Sequence, residues 1–182
     1  MKELFKTFLV GMAHRNTIAK HSQGLDRYLG VLCMLSAACL GIAIFTPIAT
    51  IPEYRGLEGT FAILDALLVL FKANRLPDAA VLGLTFILWP VYSLSVAFDV
   101  WYKYPVQEDK FLKASGRLRF FGRIWYLIAI STVGMVYIVQ VEAGGVVHLP
   151  VYALILSVIL QKLCFTRMLG MVNRIQFDEV DD

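Results

Sequence analysis

The sequence predicts an all-α membrane protein: four transmembrane helices with both termini inside, an outer amphipathic helix and a small extracytoplasmic β-sheet. Three observations carry that reading. Of 182 residues, 58% are hydrophobic and the mean hydropathy is +0.67, above the roughly 45–50% apolar usage of soluble domains. The charges leave four uncharged runs, 28–52, 79–98, 124–141 and 143–161, each near the ~20 residues that cross about 30 Å of hydrocarbon at 1.5 Å per residue. The lysines and arginines are distributed unevenly between the connecting segments. A soluble bundle would need polar faces on these runs, and they have almost none.

Orientation follows from the basic residues, because short loops rich in them stay in the cytoplasm. Five lie at or before Arg27, six between Asp99 and Arg123, and three from Lys162 onward; only Arg55, Lys72 and Arg75 fall on the other side. Fourteen against three places residues 52–78 and the turn near Gly144 and Gly145 outside. Three segments result: a basic arm over 1–27, the four-helix module over 28–165 and an acidic tail over 166–182. Leu4, Phe5, Phe8, Leu9 and Met12 recur at helical spacing beside Lys2 and Lys6, the pattern of a helix lying on anionic lipid. Residues 1–20 lack the long apolar core and cleavage site of a removable signal peptide.

In the first span, Pro47 and Pro52 fall where the helix leaves the hydrocarbon, and a proline cannot continue a helix. The segment "IATIP" between them is β-branched or small. On the same side "YIVQVEAGGVVHLP" places β-branched runs about Gly144 and Gly145, which is hairpin grammar. These pieces predict an outer antiparallel sheet of Ala49–Pro52, Ile138–Glu142 and Val146–Leu149, with the third helix ending near Tyr137 and the fourth starting near Pro150. The run "TFAILDALLVLF" before Lys72 is too short to span. As a helix it aligns Phe61, Leu64, Leu68 and Phe71 on one face and Glu58, Asp65 and Lys72 on another. Pro77 stands near the first helical position of the second span, and Pro90 inside it predicts a kink within the preceding turn.

The search for chemistry is mostly negative. Cys33, Cys39 and Cys164 match no zinc or redox spacing and are read as packing residues. His14 and His21 sit exposed in the basic arm, and His148 stands alone near the outer end of the fourth span. Walker, dinucleotide-binding and serine-elbow motifs are missing. No catalytic residue, metal ligand or cofactor is assigned, no nucleic acid partner is implied, and an enzyme is not expected. The spans hold hydroxyls and amides rather than the mid-membrane charges of ion-driven carriers; Ser36, Thr85, Ser93, Ser131 and Ser157 suit helix-to-helix hydrogen bonds, while Gly30, Gly41 and Gly134 suit close packing. Trp101, Tyr102 and Tyr104 read as an anchoring belt. Phe86, Trp89 and Tyr92 read as that belt or as an interface.

As a whole the pattern resembles the membrane module of the paraquat-inducible protein A family. The resemblance rests on a span ending "FTPIATI", a glycine-led "GTFAILDALLVL", a proline-containing "LTFILWPVYSL", and then "GRIWYLIAISTVGMVYIVQVEAGGVVHLPVYALILSVIL". It covers about residues 25–165. This chain has one module and none of the zinc ribbons that many members carry. Ser93 stands where the family often has lysine, and Tyr126, Leu127 and Ile128 stand where it tends to have a Ser-Met-x-Asp run. The resemblance implies a multi-pass protein of the bacterial inner membrane that takes part in moving lipids across the envelope with a mammalian-cell-entry (MCE) domain partner. The alternative reading is a small structural subunit packed against a larger membrane complex. Lipid or partner contacts are assigned to Asp65, Trp89, Tyr92, Tyr137 and His148, with Asp65 facing either a headgroup path or solvent. Pro47, Pro52, Pro90, Gly144 and Gly145 are assigned to breaking helices and shaping turns.

Overall fold

The computed structural model describes residues 16–178, with side chains placed through 175. The N-terminal stripe, His14 and the acidic end beyond 178 lie outside the described residues. Two short 3-10 turns, Ile18–His21 and Gly24–Tyr28, lead into α1 (Leu29–Phe45). Strands β1 (Ala49–Tyr54) and β2 (Leu57–Phe61) follow, then α2 (Ile63–Lys72), α3 (Leu76–Lys103), α4 (Asp109–Glu142), the two-residue β3 (Val146–Val147) and α5 (Pro150–Asp178). Of the described residues, 78% are helical. Among the described residues, four helices are long and apolar enough to cross a membrane: Gly24–Phe45, Leu76–Lys103, Asp109–Glu142 and Pro150–Ile175. Only 17% of the apolar window of α4 is buried within the described chain, the least of the four.

Contacts divide the chain into two compact units. The first, within the described residues, comprises 16–35, 93–124 and 160–178. Its core holds Ile18, Leu29, Trp101, Phe111, Leu118, Phe165 and Met168, each under 3% exposed. Residues 16–19 are therefore anchored rather than a loose arm: Val106 donates its amide to the Asn16 carbonyl at 2.9 Å, and Thr17, Ile18 and Ala19 are buried. His21 is exposed and shares a hydrogen bond with Asn16 Oδ1 at 3.0 Å. Trp101 is fully buried, which corrects its assignment to a surface belt. The indole packs over Gly30, where an added Cβ would overlap the Tyr102 hydroxyl and lie 2.7 Å from Trp101 Nε1. The stretch 166–175 likewise belongs to α5, with Met168, Met171 and Val172 buried; it is a packed helix, not a tail.

The second unit comprises 36–92 and 125–159. Its sheet has the order β2-β1-β3 and is antiparallel throughout, pairing Ala49 with Phe61 and Val147, and Thr50 with Thr60 and Val146. Ala49–Pro52 therefore enters the sheet as expected; of the expected Val146–Leu149 strand, His148 and Leu149 fall outside it and the first two residues enter. The third member does not. Ile138–Glu142 is the last, π-helical stretch of α4, and its expected place in the sheet is taken by β2. The predicted end near Tyr137 moves to Glu142. β-Branched residues only modestly disfavour a helix, whereas a helical end satisfies its own backbone without a partner strand. Ala143 and Gly145 close that end through amide bonds to the Ile138 and Val139 carbonyls at 2.9 and 2.7 Å, with Gly144 left-handed at φ +60.

Phe61 is a second correction: it ends β2, and the amphipathic helix starts at Ile63. Between β1 and β2 the turn residues Arg55 and Gly56 both have positive φ, +52 and +83, the requirement of a two-residue hairpin turn whose twist matches the strands. Pro47 follows the end of α1, with Thr46 still bonded to the Ile42 carbonyl at 2.9 Å. Pro52 lies inside β1 instead of ending it. It occupies the register irregularity between Ile51 and Tyr54, where a residue without an amide proton costs no ladder bond. Pro77 is the second residue of α3. Immediately ahead of Pro90, Leu84–Leu88 widens to π-helix and Trp89 donates to the Leu84 carbonyl, a rearrangement suited to a missing proline amide.

Candidate functional site: an apolar cavity with a charged rim

Within the second unit, the β-hairpin, α2, the start of α3 and the end of α4 enclose a cavity of about 520 Å³. Its walls follow from helical periodicity. Ile63, Ala66 and Leu70 project from one face of α2, Val81, Leu82 and Phe86 from α3, and Ile130, Gly134, Ile138 and Val139 from α4; 63/66/70, 82/86 and 130/134/138 recur at three- or four-residue steps, with Val81 and Val139 beside them. An added Cβ at Gly134 would meet nothing within 4 Å. This glycine widens the cavity and is not a close helix contact. Thr85 and Ser131 are the hydroxyl-bearing wall residues. Val81 and Ile130 are 65% and 64% exposed, so the cavity is accessible between α3 and α4.

Charge is confined to one end. Tyr54, Arg55 and Asp78 line the cavity there. The hairpin turn carries Tyr54 and Arg55, and Asp78 sits in the first turn of α3, where a carboxylate complements the helix dipole. Arg75 Nε holds Asp78 at 3.1 Å; Arg55 Nη1 reaches its other oxygen at 3.6 Å. The Arg55 guanidinium lies 5.3 Å from the centroid of the Tyr54 ring, within cation–π range. Tyr54 donates its hydroxyl proton to Glu142 Oε2 at 2.8 Å. That bond, helped by partial desolvation and opposed by the Arg55 charge, raises the phenol above its ordinary value, because a donor bonded to a carboxylate is reluctant to ionise. Tyr54 thus has one carboxylate and one guanidinium beside it, and that guanidinium is linked through Asp78 to a second.

None of the five residues assigned from sequence to lipid or partner contact lines this cavity. Asp65 is exposed, and its Oδ2 accepts the Ala62 amide at 3.3 Å; it caps the N-terminus of α2. His148 is half-buried and shares a 2.7 Å hydrogen bond with Thr50 Oγ1, which also pairs with Thr60 Oγ1 at 2.8 Å. The histidine locks the three-stranded sheet. Trp89 is half-buried on α3, while Tyr92 and Tyr137 are about half-exposed on the helix surfaces. Gly144 and Gly145 shape the α4–β3 turn. Tyr54, Arg55, Asp78 and Glu142 carry no motif. The legible signal was local: Arg-Gly between two β-capable segments, the grammar of a tight hairpin. Nothing local joins Tyr54 to Glu142.

Cys33, Cys39 and Cys164 are buried free thiols, and no cluster of three metal-ligating side chains occurs among the described residues. Comparison with protein-family models, with curated proteins and with solved structures returns no match for this chain.

Proposed function

We propose that the chain is a multi-pass protein of the bacterial inner membrane, N- and C-termini inside, that holds a membrane lipid in the cavity of its second unit. In that role it takes part in lipid transport across the envelope with an MCE-domain partner, in keeping with its resemblance to the paraquat-inducible protein A family. The observation that carries the reading is the cavity: apolar walls of acyl-chain character beneath a charged rim.

The amphiphile fit follows from the geometry. From Asp78 to Phe86 the wall runs eight residues of α3, about 12 Å at 1.5 Å per residue. Such a depth takes an apolar chain, while polar groups stay at the level of the helix ends. A volume of about 520 Å³ lies within the usual range of ligand sites. The exposed Val81 and Ile130 make the opening continuous with surrounding hydrocarbon. Once inserted, the uncovered apolar face of α4 needs no further partner, because lipid tails are its solvent.

Native mass spectrometry of the full chain in mild detergent tests this. The expected result is retained phospholipid that disappears when Gly134→Leu fills the cavity, together with capture of an MCE-type protein from native membranes. A chain that carries no lipid and migrates only as a fixed member of a larger complex would overturn it in favour of a structural subunit.

A further inference from the structure

We propose that the rim of this cavity selects a zwitterionic phospholipid with a primary ammonium, its phosphate on Arg55 and its ammonium on Glu142. The inference rests on the lipid-binding reading above and adds headgroup chemistry to it.

Arg55 is the phosphate-binding group. Asp78 is already held by Arg75 at 3.1 Å, and the longer 3.6 Å contact engages only Nη1 of Arg55. The Arg55 side chain is 55% exposed and stands at the cavity end. A guanidinium presents five donors in a planar fork that matches phosphate oxygens two at a time, so Arg55 has donors to offer while keeping Asp78. Its backbone is left-handed in the hairpin turn, and its guanidinium lies 5.3 Å from the centroid of the Tyr54 ring.

Glu142 is the ammonium-binding group. It does not itself line the cavity but accepts the proton of the lining Tyr54 at Oε2, 2.8 Å away. An ionised carboxylate offers about four lone-pair sites, so one phenol bond leaves capacity for an N–H donor. The charged lining residues Arg55 and Asp78, together with Arg75 paired to Asp78 and Glu142 bonded to Tyr54, make a formally neutral set. A headgroup with only a phosphate would meet attraction at Arg55 and repulsion at Glu142. One that follows its phosphate with an ammonium meets attraction at both, and the wrong headgroup is rejected by charge placed against it.

The test is competition. The full chain in mild detergent is incubated with equimolar phosphatidylethanolamine and phosphatidylglycerol of identical chains, and bound lipid is read by native mass spectrometry. The expected preference for phosphatidylethanolamine is about tenfold, the scale of one charge-assisted contact. Glu142→Gln keeps an acceptor for Tyr54 but removes the charge, and brings the ratio near one while total bound lipid persists; Arg55→Gln lowers both lipids. Equal or greater binding of phosphatidylglycerol by the unmodified chain, or a ratio that Glu142→Gln leaves unmoved, would overturn the headgroup assignment. Lipid retained without preference and lost in Gly134→Leu sinks the headgroup assignment alone. A chain that retains neither lipid sinks the cavity reading with it.

Discussion

Ser36 of α1 and Ser157 of α5 hydrogen-bond to each other reciprocally: Ser36 Oγ donates to the Ser157 carbonyl at 3.0 Å, and Ser157 Oγ donates to the Ser36 carbonyl at 2.9 Å. Both are fully buried and 121 residues apart in sequence. Small hydroxyl residues let two backbones approach and then tie them together. Removing either hydroxyl as Ser→Ala is expected to cost about 1 kcal/mol, in line with interhelical bonds in membrane proteins. Ser36→Leu is expected to cost more, since it must part the helices. Thermal unfolding in detergent checks both, and a double-mutant cycle should show coupling between the two positions.

The turn that leads into β3 contains a position where no side chain fits. An added Cβ at Gly145 would stand 2.5 Å from the Thr50 carbonyl oxygen and 3.1 Å from that of Val139. Both neighbours are backbone and cannot swing aside. Gly145→Ala should cost on the order of 1–3 kcal/mol, as overpacking does. Gly144→Ala strains a left-handed residue and should cost roughly 1–2 kcal/mol. Hydrogen exchange of the Val147 and His148 amides reports the loss locally; unchanged protection in Gly145→Ala would refute the close approach.

Asp65 is expected to matter to the helix it caps and not to the ligand. Asp65→Ala leaves the Ala62 amide without its carboxylate and should destabilise α2 by about 1 kcal/mol. Asp65→Asn, which keeps an acceptor, should cost a few tenths. Lipid retained per folded molecule should be unchanged in both. A selective loss of lipid in Asp65→Asn, with stability intact, would return this residue to a headgroup path.

Tyr54 should report its partner through pH. Its phenol is raised from an ordinary 10.0, first by the hydrogen bond to Glu142. Since the neutral form is the one bonded, its contribution to stability is full below about pH 10 and is lost as pH rises through the raised value. Glu142→Gln should lower the Tyr54 midpoint toward its ordinary value; a tyrosine-ring carbon NMR titration follows it. A midpoint unmoved by that substitution would show that the carboxylate is not its partner.

Gly30 lies against Trp101 and Tyr102 so closely that a methyl group would overlap both. Gly30→Ala is therefore expected to destabilise the first unit by roughly 1–3 kcal/mol and to shift Trp101 fluorescence, because the indole is fully buried in the present arrangement. Gly41→Ala, at a site with nothing within 4 Å, is the matched control and should be neutral or slightly stabilising.

The sequence by itself determined the features that depend on sums over neighbouring residues. Four uncharged runs of bilayer length yield four long helices, because each apolar residue adds independently to the preference for a dry environment. Pro47 and Pro150 mark a helix end and a helix start because proline acts on its own turn. The strand at Ala49 and the chain turn at Gly144 were local signals as well. Tertiary structure decided the rest. Phe61 reads equally as the head of an amphipathic helix or the end of a strand, and the Arg55–Gly56 turn that pairs β2 with β1 settles it. Val139 and Val141 favour a strand by propensity, yet the helix keeps them because its carbonyls find the amides of Ala143 and Gly145. Trp101 looks like a boundary aromatic until Gly30 supplies a surface for it. The candidate site was the least legible part of all. A cavity is the volume that several elements fail to fill, and its rim joins Tyr54 to Glu142 across 88 residues; neither property is encoded in any one stretch, since each exists only once β1, α3 and α4 are packed together.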